Sequence, residues 1–423
     1  MIGNIPVLKK RRLNIKKKIY FDRFLSPLLL LPFSLVIISS FLIQSVQRQL
    51  ERNDAFNHFF MGILGYLVAI IISYIPLQKI KSFIIPFYLL TLFSLILIYF
   101  FGISMFGAQR WLSLGFITFQ PSEVAKLSTL LALAAVFERS YFKSFKDLCL
   151  PFIVAIIPWL LIFFQPDLGT SLVLIFLFLT LLYWVQVPVQ AIVIVLFSLI
   201  TGILSMISFQ LIFLWIPLIC FWAYKTFKNK KILILSTLVL HGLAAKLTPL
   251  LWNIGLKDYQ KDRLILFLEP GKDPLGGGYH LLQSKIAIGS GGLLGTGLMQ
   301  GKLTNLQFIP EQHTDFIFSA LGEEVGFLGS IFVVSIFFLL IFKLIKIAKN
   351  ARTDFESLIV IGIASIFLFQ IIINIYMTIG LGPVTGIPLP FMSYGRTSLL
   401  INFVFIGLAL STYKRCILSL IHI

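Results

Sequence analysis

Charged side chains are scarce in this sequence. They make up 12% of its 423 residues, whereas 58% are hydrophobic, and the mean hydropathy is +0.97. Soluble domains carry about 25% charged residues, so this composition excludes an ordinary soluble domain. It predicts an all-α, polytopic integral membrane protein, because a helix satisfies its own backbone hydrogen bonds inside lipid.

Cysteine is rare as well. The three cysteines, Cys149, Cys220 and Cys416, lie in or beside apolar stretches and show neither disulfide nor metal-ligand spacing. We interpret them as packing residues. The sequence also lacks a P-loop, a dinucleotide-binding fingerprint and a Ser-His-Asp signature. The first apolar stretch is too long for a signal-peptide core and lacks a small-residue cleavage site, so we expect it to remain as a helix.

Acidic residues are few in comparison with basic ones. There are 17 aspartates and glutamates against 35 lysines and arginines, which gives a formal net charge of +18. Such an excess can indicate nucleic-acid binding, but here the basic residues form short clusters between apolar stretches. This distribution is typical of the cytoplasmic loops of membrane proteins. We therefore predict a membrane location and no nucleic-acid partner.

Twelve apolar stretches come close to the length of about 20 residues that a membrane-spanning helix needs. Only Ser208 separates the seventh stretch from the eighth. The twelve fall at about 24–45, 58–77, 82–102, 122–137, 149–165, 168–185, 188–207, 209–224, 232–251, 316–342, 356–378 and 397–413.

The positions of lysine and arginine predict how these spans are oriented. With the N-terminus in the cytoplasm, 23 of the 35 basic residues fall in cytoplasmic segments, as the positive-inside rule requires. This predicts a basic cytoplasmic arm at 1–23, a single transmembrane domain at 24–415 and a short cytoplasmic tail at 416–423.

The longest non-cytoplasmic segment in this arrangement is 253–315. It contains eleven of the 29 glycines of the chain, ten of them between Gly271 and Gly301. A loop of this length in a compact protein is usually functional or disordered. The apolar runs at 263–268 and 280–288 favour ordered pieces that lie along the membrane interface.

Acid–base residues are concentrated on the same, outer side. Charge near a bilayer is costly and commonly marks a functional site, so we take the polar outer segments as candidates. They read GAQRW (107–111), QPSEVAK (120–126), QPDLGT (165–170), EPGKDPLGGGYH (269–280), PEQHTDF (310–316) and PLPFMSYGRTS (388–398).

Several of these segments have two readings. Arg110 can bind a phosphate or carboxylate through two parallel hydrogen bonds, whereas the adjacent Trp111 also suits a membrane-interface belt. Glu123 and Lys126 share a helix face and form either a packing ion pair or an anion site in a cavity. Asp273 lies in a glycine-rich loop, where it forms either a simple turn or a general base.

The other segments have structural readings of their own. Turn chemistry is sufficient to explain Asp167. Glu311, His313 and Asp315 precede the tenth span, where helix capping and loop anchoring compete with metal binding, although no HExxH-type spacing is present. The prolines and glycine of 388–398 predict irregular backbone, which at membrane depth has to be buried in protein or line a cavity.

Taken together, these segments resemble the SEDS family of bacterial shape, elongation, division and sporulation proteins, to which RodA, FtsW and SpoVE belong. The resemblance covers about residues 20–415, and GAQRW and QSKIAIGSGG are closer to the RodA branch than to the FtsW branch. It rests on GAQRWLSLGFITFQPSEVAKL, QPDLGTSL, DYQKDRLILFLEPGKDPLGGGYHLLQSKIAIGSGGLLGTG, FIPEQHTDFIFSALGEEVGFLGS and GIPLPFMSYGRTSLL.

The resemblance implies a peptidoglycan glycosyltransferase for cell elongation and shape. Such an enzyme polymerises lipid II at the outer face of the bacterial cytoplasmic membrane. Its expected partners are a class B penicillin-binding protein, which supplies the transpeptidase, and other membrane proteins of the elongation complex. The expected fold is all-α, with about 10–12 transmembrane helices and a large extracytoplasmic loop.

The resemblance also implies roles for individual residues. Asp273 matches the essential acid of the family's DPxGxGY pattern, and Trp111 matches a functionally important tryptophan. Glu123 and Lys126 match the helix that lines the central cavity. The full set of expected substrate-binding residues is Arg110, Trp111, Glu123, Lys126, Arg263, Gln283, Lys285, His313 and Ser393.

Two features depart from the family pattern. Family members usually have ten spans, and the additional pair here falls at about 186–230. A pair of extra helices preserves the sidedness of everything that follows it. The second departure is Arg396, which stands where the SYGG pattern of the family has a glycine.

The expected reaction is a single inverting displacement. In this hypothesis, Asp273 takes the proton from the acceptor hydroxyl. Arg110 and Lys126, together with Arg263 or Arg396, neutralise the departing pyrophosphate. A divalent cation, Mg²⁺ or Mn²⁺, could assist at the pyrophosphate, although no ligand set is evident in the sequence.

Two other functions remain open from the sequence. A lipid II flippase needs polar residues through the inner half of the spans, and few are present there. A non-catalytic scaffold for the penicillin-binding protein leaves Glu123, Lys126 and Asp273 without a role. The polymerase hypothesis uses all three residues.

The orientation is testable in intact cells. We expect an epitope tag within 253–315 to be accessible from the periplasmic side, and a tag within the basic segment 343–352 to become accessible only after permeabilisation, because basic segments stay in the cytoplasm. Protease mapping that located 253–315 in the cytosol would contradict the proposed substrate, since no glycan strand grows there.

Overall fold

The structure is a computed structural model in which helices dominate. It describes residues 7–48, 53–105, 108–113, 118–139, 145–226, 230–256, 258–269, 277–306, 308–309 and 312–421. Asp273 and Glu311 lie outside these ranges.

Each of the twelve predicted apolar stretches coincides with a helix, so the all-α fold class is confirmed. A short helix α3 (Leu77–Ile80) and a 3-10 turn (Lys81–Phe83) lead into the third of them. The twelve are α1 (Val7–Val46), α2 (Asp54–Ser73), α4 (Ile84–Phe101), α5 (Pro121–Arg139), α6 (Cys149–Phe164), α7 (Leu168–Trp184), α8 (Val189–Ile207), α9 (Phe209–Thr226), α10 (Lys230–Leu250), α14 (Ile317–Lys349), α15 (Asp354–Thr378) and α16 (Arg396–Ile421).

Eight helices of the described ranges are long and apolar enough to cross a membrane. Cys149–Phe164, Leu168–Trp184 and Gln210–Lys225 are apolar but shorter. The remaining apolar helix, α5, carries charged residues at both ends. The chain is therefore a multi-pass membrane protein by length and composition, while the exact number of twelve spans stays a prediction.

The long outer segment contains ordered helical pieces, as expected at 263–268 and 280–288. A π-helical turn (Leu251–Gly255) extends α10, and three further helices follow it. They are α11 (Asp258–Leu268), α12 (Gly277–Gly291) and α13 (Lys302–Asn305).

A small antiparallel sheet between α4 and α5 was not predicted from the sequence. Its strands are β1 (Ile103–Met105), β2 (Ala108–Ser113) and β3 (Thr118–Phe119), in the order β1-β2-β3. The strands are very short, and their pairing depends on cross-strand hydrogen bonds, so the local sequence carries little signal for them.

The core is built around α5 and α15. Glycines allow the helices to approach closely, which is the usual way of packing helices in membranes. The face of α2 at Gly65 lies against Phe403 of α16, and Gly362 of α15 lies against Leu130 of α5. Of the 19 residues of α5, 14 are buried and the other five lie near its ends, so this helix lies inside the bundle.

Helices α8, α9 and α10 pack mainly with one another. They have a small apolar cluster of their own around Ile194 and Ala223. Polar contacts also join them: the Oγ1 of Thr201 accepts a hydrogen bond from Trp215 Nε1 at 3.0 Å and lies 2.6 Å from Nδ1 of His241. The predicted additional pair, α8 and α9, thus forms a three-helix group with α10.

Helix α14 is broken near its outer end. Gly326 has φ +70° and ψ −166°, which interrupts the helical hydrogen bonds. The released groups pair with residues 292–297: Thr296 N donates to Glu323 O at 2.9 Å, and Phe327 N donates to Gly292 O at 2.9 Å. The break therefore serves to attach the outer segment to the bundle.

Two buried glutamates strengthen this attachment. The carboxylate of Glu323 accepts hydrogen bonds from Leu303 N (2.8 Å), Thr304 N (2.9 Å) and Thr304 Oγ1 (2.6 Å). Glu324 accepts from Ser45 Oγ of α1 and from the backbone of the outer segment. Buried carboxylates held in this way fix the position of the segment relative to α1 and α14.

A methyl group at Gly326 should destabilise the protein. Gly326→Ala forces a residue with a Cβ into positive φ, which costs about 1–3 kcal/mol, and the new Cβ meets the backbone of Gly295. We expect a lower midpoint in thermal unfolding of the purified protein. Gly242→Ala is the matched control, because a Cβ there meets nothing within 4 Å. Equal midpoints for the two variants would contradict the account.

Candidate functional site

The buried ion pair of α5 is the most internal feature of the site. Nζ of Lys126 lies 2.8 Å from the carboxylate of Glu123, and neither side chain is more than 3% exposed. The helix begins at Pro121, and a three-residue spacing places both side chains on one face. The attraction between the two charges offsets the cost of burying them. Of the two arrangements that the sequence left open, the structure shows the ion pair, and neither residue lines the cavity of Arg110 and Arg263.

Asp167 connects three elements at the outer end of the bundle. It is the N-cap of α7, where it accepts hydrogen bonds from Thr170 N (3.2 Å) and Thr170 Oγ1 (2.9 Å). It also accepts from Ser122 Oγ of α5 at 3.2 Å. The structural reading of this aspartate, as a turn and capping residue, therefore accounts for its contacts.

Arg110 of β2 lies against the same turn. Its Nη1 is 3.8 Å from Asp167 Oδ1, and its Nη2 donates to the carbonyl oxygen of Pro166. Gln260 of α11 donates to the same carbonyl at 3.1 Å. The guanidinium is thus held by the 166–167 turn, and α11, which carries Arg263, contacts the same turn.

Arg110 and Arg263 line one cavity of about 330 Å³. Its walls are otherwise mainly apolar, and they come from α6, α7, α10, the π-helical turn, α11 and the segment before α16. A cavity of this kind suits a ligand with an anionic group attached to a hydrocarbon. The apolar walls include Phe163, Leu168, Leu172, Leu251, Trp252, Leu256, Leu264, Pro383 and Val384.

Further polar groups converge beside this cavity. Gly386 has φ +71°, and a methyl group built on it lies 3.4 Å from Asp315 Oδ2 and 3.5 Å from Arg263 Nη1. Burial lowers the pKa of His280, and Arg263 lowers it further. His280 is therefore largely neutral at pH 7. Neither His280 nor Asp315 was assigned a substrate role from the sequence, because only the fold places them near Arg263.

His313 and Ser393 belong to a different cluster. The backbone N–H of Tyr394 donates to the carbonyl of His313 at 2.9 Å, and the two rings lie 5.7 Å apart. Ser393 is buried, and its Oγ accepts a hydrogen bond from Leu389 N at 2.7 Å. These contacts hold the segment between α15 and α16, which has the predicted irregular backbone, including φ +64° at Phe391.

Arg396, the residue that departs from the family pattern, begins α16 and is exposed. Its guanidinium and the carboxylate of Asp54 both form hydrogen bonds with the Tyr394 side chain. Burial and the Asp54 contact raise the pKa of Tyr394, whereas Arg396 opposes that shift. Arg396 therefore connects α16 with the start of α2 through Tyr394.

The last three candidates occupy separate positions. Trp111 is half-buried in β2, where it is paired with Ile103 of β1. Gln283 of α12 is half-buried, and the side chain of Lys285 lies against Gly380 beyond α15. None of the three lines the cavity of Arg110 and Arg263.

The structure leaves two predictions untested: the catalytic role of Asp273 and the divalent cation. Asp273, the predicted catalytic residue, lies outside the described residues. Within the described ranges, no group of three or more His, Cys, Asp or Glu side chains is arranged to hold a metal ion.

Comparisons with known proteins identify the family. A family profile for FtsW, RodA and SpoVE, described as "Cell cycle protein", matches residues 22–233 and 210–415. The Escherichia coli K12 protein named peptidoglycan glycosyltransferase MrdB is 33% identical over 407 residues, covering 95% of this chain and 96% of that protein. The Treponema pallidum protein named peptidoglycan glycosyltransferase RodA is 33% identical, covering 76% of this chain and 81% of that protein.

A solved structure has the same fold. It belongs to work on the structural coordination of polymerization and crosslinking by a peptidoglycan synthase complex, with a TM-score of 0.72 and 26% identity. The alignment covers 92% of this chain and 97% of that one. From its sequence and its fold, the chain belongs to the FtsW, RodA and SpoVE family of cell cycle proteins.

Proposed function

We infer that this chain is a peptidoglycan glycosyltransferase that polymerises glycan for cell elongation and shape. The similarity to MrdB extends over nearly the whole length of both proteins, so it includes the spans, the outer segments and the loops between them. The chain is a multi-pass membrane protein. We further propose that it lies in the bacterial cytoplasmic membrane with both termini in the cytoplasm.

The proposed substrate is lipid II, whose disaccharide is attached through pyrophosphate to an undecaprenyl chain. The observation that carries this proposal is the cavity in which Arg110 and Arg263 meet apolar walls. Guanidinium groups match the oxygens of a phosphate, and the apolar walls match an isoprenoid chain. The cavity lies at the end of the bundle that we propose to be extracytoplasmic, where the sugars of the substrate have room.

The proposed reaction transfers the growing chain from one lipid carrier to the next disaccharide. The acceptor hydroxyl oxygen forms a bond with the anomeric carbon of the donor while the bond from that carbon to the pyrophosphate oxygen breaks. The hydroxyl proton goes to the carboxylate of Asp273, and the bonding electrons leave with undecaprenyl pyrophosphate. The configuration at the anomeric carbon inverts in this single displacement.

The leaving pyrophosphate needs positive charge close to it as the bond breaks. Arg110 and Arg263 are the residues that we propose for this role. The ammonium group of Lys126 is already paired with Glu123 and does not line the cavity, so we propose that it acts on the site only through its charge. A divalent cation at the pyrophosphate remains a prediction, and no step here depends on it.

A class B penicillin-binding protein is the proposed partner. The similar solved structure is that of a peptidoglycan synthase complex concerned with both polymerization and crosslinking, which supports a division of labour between two subunits. Crosslinking of the new glycan then falls to the partner's transpeptidase. We propose that other membrane proteins of the elongation complex bind the same assembly.

Replacement of Asp273 tests the catalytic assignment. Asp273→Asn keeps the shape of the side chain but removes the base, and positioned general-base catalysis contributes about 10²–10⁴-fold. We expect polymer formation from labelled lipid II to fall by at least about 10²-fold with normal membrane insertion. The assay uses the purified protein with its partner while the transpeptidase is inhibited.

Asp258→Asn is the matched control, because that carboxylate belongs to the same outer segment and its side chain is 98% exposed. It should polymerise at the parental rate. Parental activity in Asp273→Asn would refute the role of this residue as base. Absence of polymer from the parental protein would refute the enzymatic function itself.

A double variant separates the packing role of the α5 ion pair from its role in function. Lys126→Met leaves a buried, unpaired carboxylate, and breaking a buried pair costs about 3–5 kcal/mol. The double variant Glu123→Gln with Lys126→Met removes both charges and should recover most of the thermal stability. We expect it to remain defective in polymer formation, because we propose that the two charges of α5 act on the site through their electric field.

The pair of Lys81 and Glu138, 2.6 Å apart and about a quarter to a third exposed, serves as control. Its removal should change stability by only about 0–1 kcal/mol and leave polymer formation unchanged. If the double variant in α5 polymerised at the parental rate, the pair would have only a packing role.

A further inference from the structure

A second cavity, lined by polar residues, lies at the end of the bundle opposite to the candidate site. It has a volume of about 410 Å³ and is lined by Gln78 of α3, Arg352, Thr353 and Glu356 at the start of α15, and Arg415 of α16. The site described above is near the C-terminal end of α15, which is 25 residues long. With a rise of about 1.5 Å per residue, the two sites are separated by roughly the thickness of a membrane.

One buried acid in this cavity has an unused acceptor. Glu356 is 1% exposed, and its Oε1 accepts a hydrogen bond from Arg415 Nη1 at 3.2 Å. Its Oε2 is buried and has no hydrogen-bond partner among the described residues. Buried carboxylate oxygens are normally satisfied, so the lining supplies one donor fewer than this group requires.

The lining also carries excess positive charge. Arg352 and Arg415 contribute two guanidinium groups against the single carboxylate of Glu356. Thr353 is the N-cap of α15 and accepts a hydrogen bond from Glu356 N at 3.3 Å, so the positive end of a long helix dipole points to the cavity rim. A complementary ligand has an anionic group for the arginines and a hydrogen-bond donor for Glu356.

We propose that this cavity binds the headgroup of a phospholipid of the inner leaflet. The phosphodiester lies against Arg352 and Arg415, and an N–H or O–H group of the headgroup donates to Glu356. Ethanolamine and glycerol headgroups carry such donors, whereas choline has none. The inner-leaflet location rests on the proposed orientation, in which the starts of α3 and α15 and the end of α16 face the cytoplasm.

Lipid titration tests the proposed chemistry. The full-length protein is purified, stripped of lipid and titrated with dioleoyl phosphatidylethanolamine, phosphatidylglycerol or phosphatidylcholine, and bound lipid is counted by native mass spectrometry. We expect the two donor-bearing lipids to bind at least tenfold more tightly than the choline lipid at this site. Equal affinity for all three lipids would overturn the proposal.

The lipid source is tested separately with glycerophosphoethanolamine, which has the same headgroup chemistry without acyl chains. Binding of the intact lipid at least tenfold more tightly than this soluble compound supports a membrane ligand. Equal binding of both would overturn the lipid assignment and identify a site for a soluble phosphodiester.

Variants locate the binding to this cavity. Arg352 is exposed, so Arg352→Gln should fold normally. We expect its affinity for the two donor-bearing lipids to be at least fivefold lower than that of the parent. Lys349→Gln removes another exposed cation, three residues earlier on the same side, and should leave binding unchanged. Equal binding by the parent and Arg352→Gln would overturn the proposal, independently of whether the chain polymerises glycan.

Glu356→Gln examines the donor preference. It removes the charge that selects an ammonium or hydroxyl donor and keeps the size of the side chain. We expect the preference for ethanolamine over choline to fall to less than threefold in this variant. A preference that stayed at the parental value would contradict the role of Glu356.

Discussion

A polar group that is released within a membrane has to find its partner in the protein, because lipid offers none. The half of the molecule that carries the candidate site is organised by that constraint. Where α14 breaks at Gly326, its carbonyls and N–H groups pair with residues 292–297. Where the chain is irregular after α15, Asn374 Nδ2 donates to the carbonyls of Asp315 (2.9 Å) and Ile387 (2.8 Å). The non-helical segments that border the site are therefore held by groups from the spans.

Charges in the bundle obey the same constraint. Glu123 is paired with Lys126, and Glu323 accepts three hydrogen bonds from α13. Asp167 is surrounded by donors from α5 and α7. Asp167 and Glu323 are thus satisfied by the protein, and Arg110 and Arg263 line the cavity of the site. This arrangement favours a substrate with its charge at the boundary between lipid and water.

Sequence reasoning predicted the twelve apolar helices, since these follow from local composition, and the outer position of most polar motifs stays a prediction. It also predicted that Glu123 and Lys126 share a helix face, because a three-residue spacing determines this, and it left the ion pair as one of two alternatives. It missed the sheet that contains Arg110 and Trp111, and it did not separate His313 and Ser393 from the cavity of Arg263. It also left open Arg396, which contacts the nearby Tyr394, because the second partner of Tyr394, Asp54, comes from a distant part of the chain.

The sequence by itself determined that this is a helical membrane protein, which segments are apolar, and which acid–base residues are candidates for chemistry. These properties depend on composition and on spacings of a few residues. Only the tertiary structure decided that Arg110 and Arg263 share a cavity, that Asp167 is a cap, and that a second cationic cavity forms at the far end of α15. Residues far apart in the chain meet there through helix packing and long-range hydrogen bonds, and their spacing along the sequence carries no record of those contacts.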